Sequence, residues 1–78
     1  MWTKDESGLH RRFEFKDFTA AWEFMNQVAQ LAELHDHHPD WSNSYNTVNI
    51  TLISHDKKQV TDRDYRLADA IDKLVDHG

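Results

Sequence analysis

Half of the chain's six histidines, His35, His37 and His38, fall within four residues, in the run Glu-Leu-His-Asp-His-His-Pro-Asp-Trp at 33–41 that also holds the only proline, Pro39. Imidazole is the side chain that titrates near neutrality without a large shift, so such a cluster suits proton transfer. A further histidine, His55, and the carboxylate Asp64 follow at a distance in the chain. Three readings stand open. The histidines are solvated loop residues; or, with Asp36, they ligate a metal; or His37, His38 and His55 face one pocket and perform metal-free acid–base chemistry on a small substrate. The spacing favours the metal least, because local ligand pairs usually lie one helical turn apart and adjacent histidines point apart unless the backbone is irregular. Asp64 and Glu33 have plain alternatives too, as a helix cap and a solvated carboxylate, and Trp41 and Tyr45 could be core.

The composition narrows the classes. The chain has 78 residues, no cysteine and a formal charge of −5. It is expected to form one domain over 1–78, without disulfides, thiolate metal sites or a cysteine nucleophile. Its basic residues are scattered, which argues against direct nucleic-acid binding. No apolar run approaches the roughly 20 residues of a membrane span, and Met1 to Glu6 lack the pattern of a signal peptide, so a soluble, cytoplasmic protein is expected.

The elements that must position the histidines follow from periodicity. Leu9, Arg11, Phe13 and Phe15 alternate with His10, Arg12, Glu14 and Lys16, the pattern of a half-buried strand. Ser7-Gly8 predicts a hairpin from a first strand around Trp2–Asp5. From Phe18 the period becomes helical, with Asp17 as N-cap and Phe18, Ala21, Trp22, Phe24, Met25, Val28, Ala29, Leu31 and Ala32 on the face that covers the sheet. Pro39 forces the helix to end before it, leaving His35 to His38 at a helix exit. Val48, Ile50 and Leu52 alternate with Thr47, Asn49 and Thr51 as a strand that ends near His55. Thr61 with Asp64 three residues later resembles a capping box opening a second amphipathic helix. The expected fold class is α+β, an antiparallel sheet with helices packed on one face, in the order β-β-α-β-α.

These residues also carry a family resemblance. Glu33, His37-His38-Pro39, Tyr45, His55 and Asp64 fall in the order and spacing of the active-site signature of the pterin-4a-carbinolamine dehydratases. Arg12 to Phe18, Ala21 to Asn26, Trp41, Asn43, Tyr45-Asn46, Val48 and Thr61 to Asp64 are similar to that family as well. The resemblance implies a hydro-lyase that dehydrates a 4a-hydroxytetrahydropterin to the quinonoid dihydropterin, recycling the pterin used by an aromatic amino-acid hydroxylase. It implies no metal and no cofactor, the pterin being the substrate.

By the same resemblance, His37, His38 and His55 are catalytic and substrate-holding imidazoles, with Glu33 and Asp64 as the carboxylates that orient them. Asp36, Pro39, Trp41, Ser54 and Asp56 join the histidines as substrate contacts. The alternative implied function is a protein-binding or dimerisation cofactor module of the transcriptional-coactivator kind, on the same fold. A homodimer or homotetramer is expected. The family's additional N-terminal helix is expected to be absent, and the run Asp56 to Val60, where the family often has glycines, predicts a different turn.

Overall fold

Gly8 sets the first turn. Its φ is +134°, and a Cβ there would lie 2.5 Å from the Leu52 carbonyl oxygen, so only glycine lets the neighbouring strand approach. In the computed structural model, which describes residues 1–75, β1 (Thr3–Asp5) and β2 (Gly8–Glu14) form this hairpin, with Asp5 paired to Gly8. Asp5 Oδ1 accepts bonds from the Ser7 amide (2.8 Å) and hydroxyl (2.7 Å). The His10 ring stands 2.9 Å from the same oxygen. The Ser7 hydroxyl, then His10 and the Ser7 amide, hold the Asp5 carboxyl down at about 2.

After β2 come α1 (Phe18–His35), β3 (Asp40–Ser44), β4 (Thr47–Leu52) and α2 (Asp62–Val75). The four strands lie in the order β1-β2-β4-β3, every neighbouring pair antiparallel. Leu9, Phe13, Val48, Ile50 and Leu52 project from one sheet face into a core completed by Ala21, Phe24 and Val28 of α1 and Leu67, Ala68 and Ile71 of α2, and Ala32 of α1 is buried as well. The fold class is thus the expected α+β, both helices covering that face. At the sheet margin, Asp72 of α2 accepts bonds from Trp2 Nε1 (2.7 Å) and Arg11 (2.6 Å), tying β1 and β2 to the last helix. No helix among the described residues is long and apolar enough to cross a membrane.

Two expectations change. The order is β-β-α-β-β-α: residues 40–44, read as a connection, form the edge strand β3, with Trp41 opposite Ile50. Its sequence Asp-Trp-Ser-Asn-Ser offers one apolar residue to the core, too few to show alternation. The buried stripe of α1 is also narrower than the wheel implies, because two helices share one sheet face. Phe18 and Trp22, expected to cover the sheet, are about half exposed and stack on each other with ring centroids 6.0 Å apart. Asp17 is the N-cap as expected, its carboxylate accepting from the Ala20 amide at 2.9 Å.

Replacing Gly8 by alanine is expected to cost at least ~2 kcal/mol, since a side chain there meets both backbone strain and a rigid carbonyl. The denaturant midpoint of Gly8→Ala checks this; an unchanged midpoint contradicts it.

Candidate active site

The exit of α1 is a tight reversal that delivers the histidines. His37 N–H bonds the Ala32 carbonyl (3.0 Å) and Asp36 N–H the Glu33 carbonyl (3.2 Å), the pair of bonds that closes a Schellman motif. Asp36 takes the left-handed conformation this needs, φ 50° and ψ 44°; an aspartate tolerates it better than a branched residue. The chain then turns His37 inward beneath the start of α2, and Pro39 leads into β3.

His37 is buried, and its Nε2 lies 2.5 Å from Oδ1 of Asp64, which is wholly buried. Asp64 Oδ2 accepts from the Ser54 hydroxyl and from the Thr61 amide, both at 2.8 Å. Thr61 and Asp64 thus make the carboxylate half of the expected capping box. Burial pushes the Asp64 carboxyl up, but the hydrogen bonds from His37, Thr61 and Ser54, with the charge of a protonated His37, outweigh it and leave Asp64 below its ordinary value. An ionised carboxylate only accepts, so His37 carries its proton on Nε2. Among the described residues no buried side-chain nitrogen or oxygen lacks a partner. His37 Nδ1, which bonds to no protein group, therefore keeps access to solvent as a free lone pair in the neutral ring.

The other two imidazoles repeat the arrangement at the surface. His38 Nε2 lies 2.5 Å from Glu33 Oε2, and His55 Nε2 lies 3.0 Å from Asp40 Oδ2. His55 follows β4 in a turn that Ser54 closes by accepting the Lys57 and Lys58 amides and bridging to Gln59. Lys58 takes φ 55° there, so a lysine occupies the kind of position where a glycine is usual.

The three histidines share one open cleft of about 320 Å³, lined by Asp36, His37, His38, Ile53, His55, Asp56 and Arg63. Sequence reading placed Asp36, the histidines and Asp56 here. Asp64 sits buried behind His37, and Glu33 lies exposed beside His38; each partners an imidazole without lining the cleft. Ser54 is buried against Asp64, and neither Pro39 nor Trp41 is among the lining residues; Trp41 packs against the core. Tyr45 is 65 % exposed in the β3–β4 turn, at the hairpin end away from His55, and is neither core nor cleft.

Three residues were missed. Arg63, 2.5 Å from Asp56, and Ile53 line the cleft, and Asp40 partners His55. Arg63 was adjacent to the recognised Asp64, and its position in the first turn of α2 could have pointed to it. Asp40 carried no signal beyond proximity to Pro39. Among the described residues no group of three potential ligand side chains is arranged to hold a metal ion.

This fold and cleft define a class, the pterin dehydratase fold, and sequence comparison makes the membership specific. The family described as Pterin 4 alpha carbinolamine dehydratase matches residues 1–74, and the chain belongs to that family. A Prochlorococcus marinus (strain NATL2A) protein with the provisional name pterin-4-alpha-carbinolamine dehydratase is 49% identical over 95% of this chain and 78% of its own length. A Rhodospirillum rubrum protein of the same provisional name is 52% identical over 94% of this chain and 76% of its own.

The crystal structure of a transcriptional coactivator/pterin dehydratase from Brucella melitensis superposes with a TM-score of 0.89 at 41% identity, over 94% of this chain and 80% of that one. A pterin dehydratase-like protein described as a RuBisCO assembly factor in the alpha-carboxysome shares the fold, with a TM-score of 0.77 at 24% identity over 95% of this chain and 86% of its own.

The Asp64 bonds set an acid limit. A carboxyl depressed by folding contributes stability that is fully present above its unfolded value, near 3.9, and lost as pH falls through the folded value. Asp64→Asn is expected to destabilise the protein by about 2–3 kcal/mol at neutral pH, through donors left facing a mismatched amide. It should also flatten the stability loss below about pH 4. Urea titrations at pH 7 and pH 3 measure both, and equal losses at the two pH values contradict the assignment.

Proposed function

We propose that this cleft dehydrates a 4a-hydroxytetrahydropterin to the quinonoid dihydropterin by paired histidine acid–base catalysis. The observation that carries the reading is the convergence of three imidazoles, each holding a carboxylate on Nε2, upon one cleft. His37 supplies the base. Its Nδ1 lone pair takes the N5 proton, the electrons of the N–H bond form the N5=C4a double bond, and the C4a–O bond breaks. His55, which enters from the β4 side with Asp40 on its Nε2, in its protonated form gives a proton to the departing hydroxyl, which leaves as water. His38, held by Glu33, steadies the ring. Asp36 and Asp56 offer acceptors to the donor-rich edge of the pterin. The chemistry needs one neutral and one protonated imidazole together, so its rate passes through a maximum as pH is varied.

In this reading the protein serves pterin recycling beside an aromatic amino-acid hydroxylase in the cytoplasm, as a homodimer or homotetramer. Added to a hydroxylase reaction, it should accelerate decay of the 4a-hydroxypterin absorbance, with a bell-shaped pH dependence. His37→Ala should lower kcat by roughly 10²–10⁴-fold with an unchanged circular dichroism spectrum. Wild-type turnover in the His37→Ala/His38→Ala double variant overturns the proposal.

A second reading, a protein-binding module, is favoured by the exposed Phe18–Trp22 stack. A half-exposed aromatic pair on a helix face is a natural docking element. Phe18→Ser/Trp22→Ser should leave the dehydratase rate per chain intact and lower the sedimenting mass if that face holds copies together. An unchanged mass removes the face from the assembly.

A further inference from the structure

The mechanism leaves one buried group without a task. Ser54 is fully buried, yet its hydroxyl faces Asp64, away from where a substrate contact is required. Its oxygen is also 2.6 Å from the Thr61 hydroxyl. The Thr61 amide already bonds Asp64, so the turn after β4 and the start of α2 meet on one carboxylate oxygen. The other oxygen is left for His37.

The directions of these bonds are fixed by chemistry. Asp64 is ionised and can only accept, so Ser54 donates its one proton to Oδ2. The Ser54 oxygen then accepts, and Thr61 Oγ1 must be its donor. The chain runs in one sense, from the Thr61 hydroxyl to the Ser54 hydroxyl, to the Asp64 carboxylate, to the His37 Nε2–H. With Oδ2 held by two donors, the carboxylate cannot rotate to exchange its oxygens. The Oδ1 lone pair therefore stays aimed at Nε2 and the basic lone pair at Nδ1.

We infer that Ser54 and Thr61 are positioning residues, a hydroxyl relay that fixes the tautomer and orientation of His37 through Asp64 without touching substrate. This rests on the dehydratase reading for its kinetic consequence, though its structural consequence stands apart from it. Ser54 is thereby moved from substrate contact to support of the base. Deleting its hydroxyl removes one of three donors to Asp64 and frees the carboxylate to turn. His37 then samples the Nδ1–H tautomer, in which the cleft-facing nitrogen holds a proton and cannot act as the base.

The test reads two quantities in the full chain. In wild type, ¹⁵N spectra of the histidine rings should show neutral His37 almost wholly as the Nε2–H form, with its proton shifted far downfield by Asp64. Ser54→Ala should populate the Nδ1–H form and lower kcat roughly ten- to a hundredfold, as small misplacements of a catalytic group do, with KM within about twofold. Ser54→Thr, which restores a hydroxyl, should recover both. Should the alanine variant not fold, Thr61→Val, which keeps the backbone amide and removes only the first donor, should shift both quantities in the same direction to a smaller extent.

A Ser54→Ala ring that stays entirely Nε2–H overturns the relay, whatever the rate does. A shifted tautomer with unchanged kcat overturns its catalytic role. A wild type that shows the Nε2–H form but no dehydration refutes the proposed reaction and leaves the relay standing, so the two failures are separable.

Discussion

The whole site depends on one buried carboxylate. Removing Asp64 from water is costly, and burial by itself drives a carboxyl towards its neutral form. Three donors reverse that outcome: His37, the Ser54 hydroxyl and the Thr61 amide. Each comes from a different part of the chain, the exit of α1, the exit of β4 and the start of α2. Satisfying this charge therefore requires those three ends to meet, and their meeting closes the cleft. A buried charge, even when fully hydrogen-bonded, seldom improves stability over well-packed apolar residues. Its use here is geometric, because it fixes which nitrogen of His37 is free.

The sheet makes this meeting possible. β2 and β4 run antiparallel in the centre, with α1 and β3 between them in sequence. The helix covers the sheet and ends close to the place where β4 ends. The packing of Phe24 on Phe13 and Phe15, at centroid distances of 4.7 and 5.0 Å, fixes the first half of α1 against β2. Its second half, with Val28 and Ala32 buried, carries the reversal at Asp36 to the same end of the sheet as Ser54 and His55.

Much of this was legible before any coordinates. The helix exit was marked by Pro39, the β4 alternation was clean, and Asp17 and the Thr61–Asp64 pair announced the helix starts. His37, His38 and His55 stood out because few residue types titrate near neutrality. What stayed hidden lacked a periodic or chemical signature. β3 has polar residues on its open side and a single tryptophan toward the core. Ser54 is one hydroxyl among many, and nothing in its neighbours tells that its proton goes to a residue ten positions on. The helical wheel of α1 recorded which residues are apolar, not how much sheet remained for them once α2 had taken its share; hence Trp22 and Phe18 are left half exposed.

The three imidazoles differ less in kind than in depth, and in the proposed dehydration depth divides their work. His37 is 8 % exposed, whereas the His38 and His55 side chains are 60 % and 71 % exposed. Exposed ion pairs are worth little, about 0–1 kcal/mol, so Glu33 and Asp40 bias their histidines without locking them. A group that donates a proton and must regain one from solvent gains from that freedom. A base has the opposite need: its lone pair must face the substrate before the substrate arrives, since any time spent in the wrong tautomer is lost to catalysis. Under the proposed mechanism, the buried carboxylate sits behind the one imidazole for which orientation matters most, and water reaches the two for which exchange does.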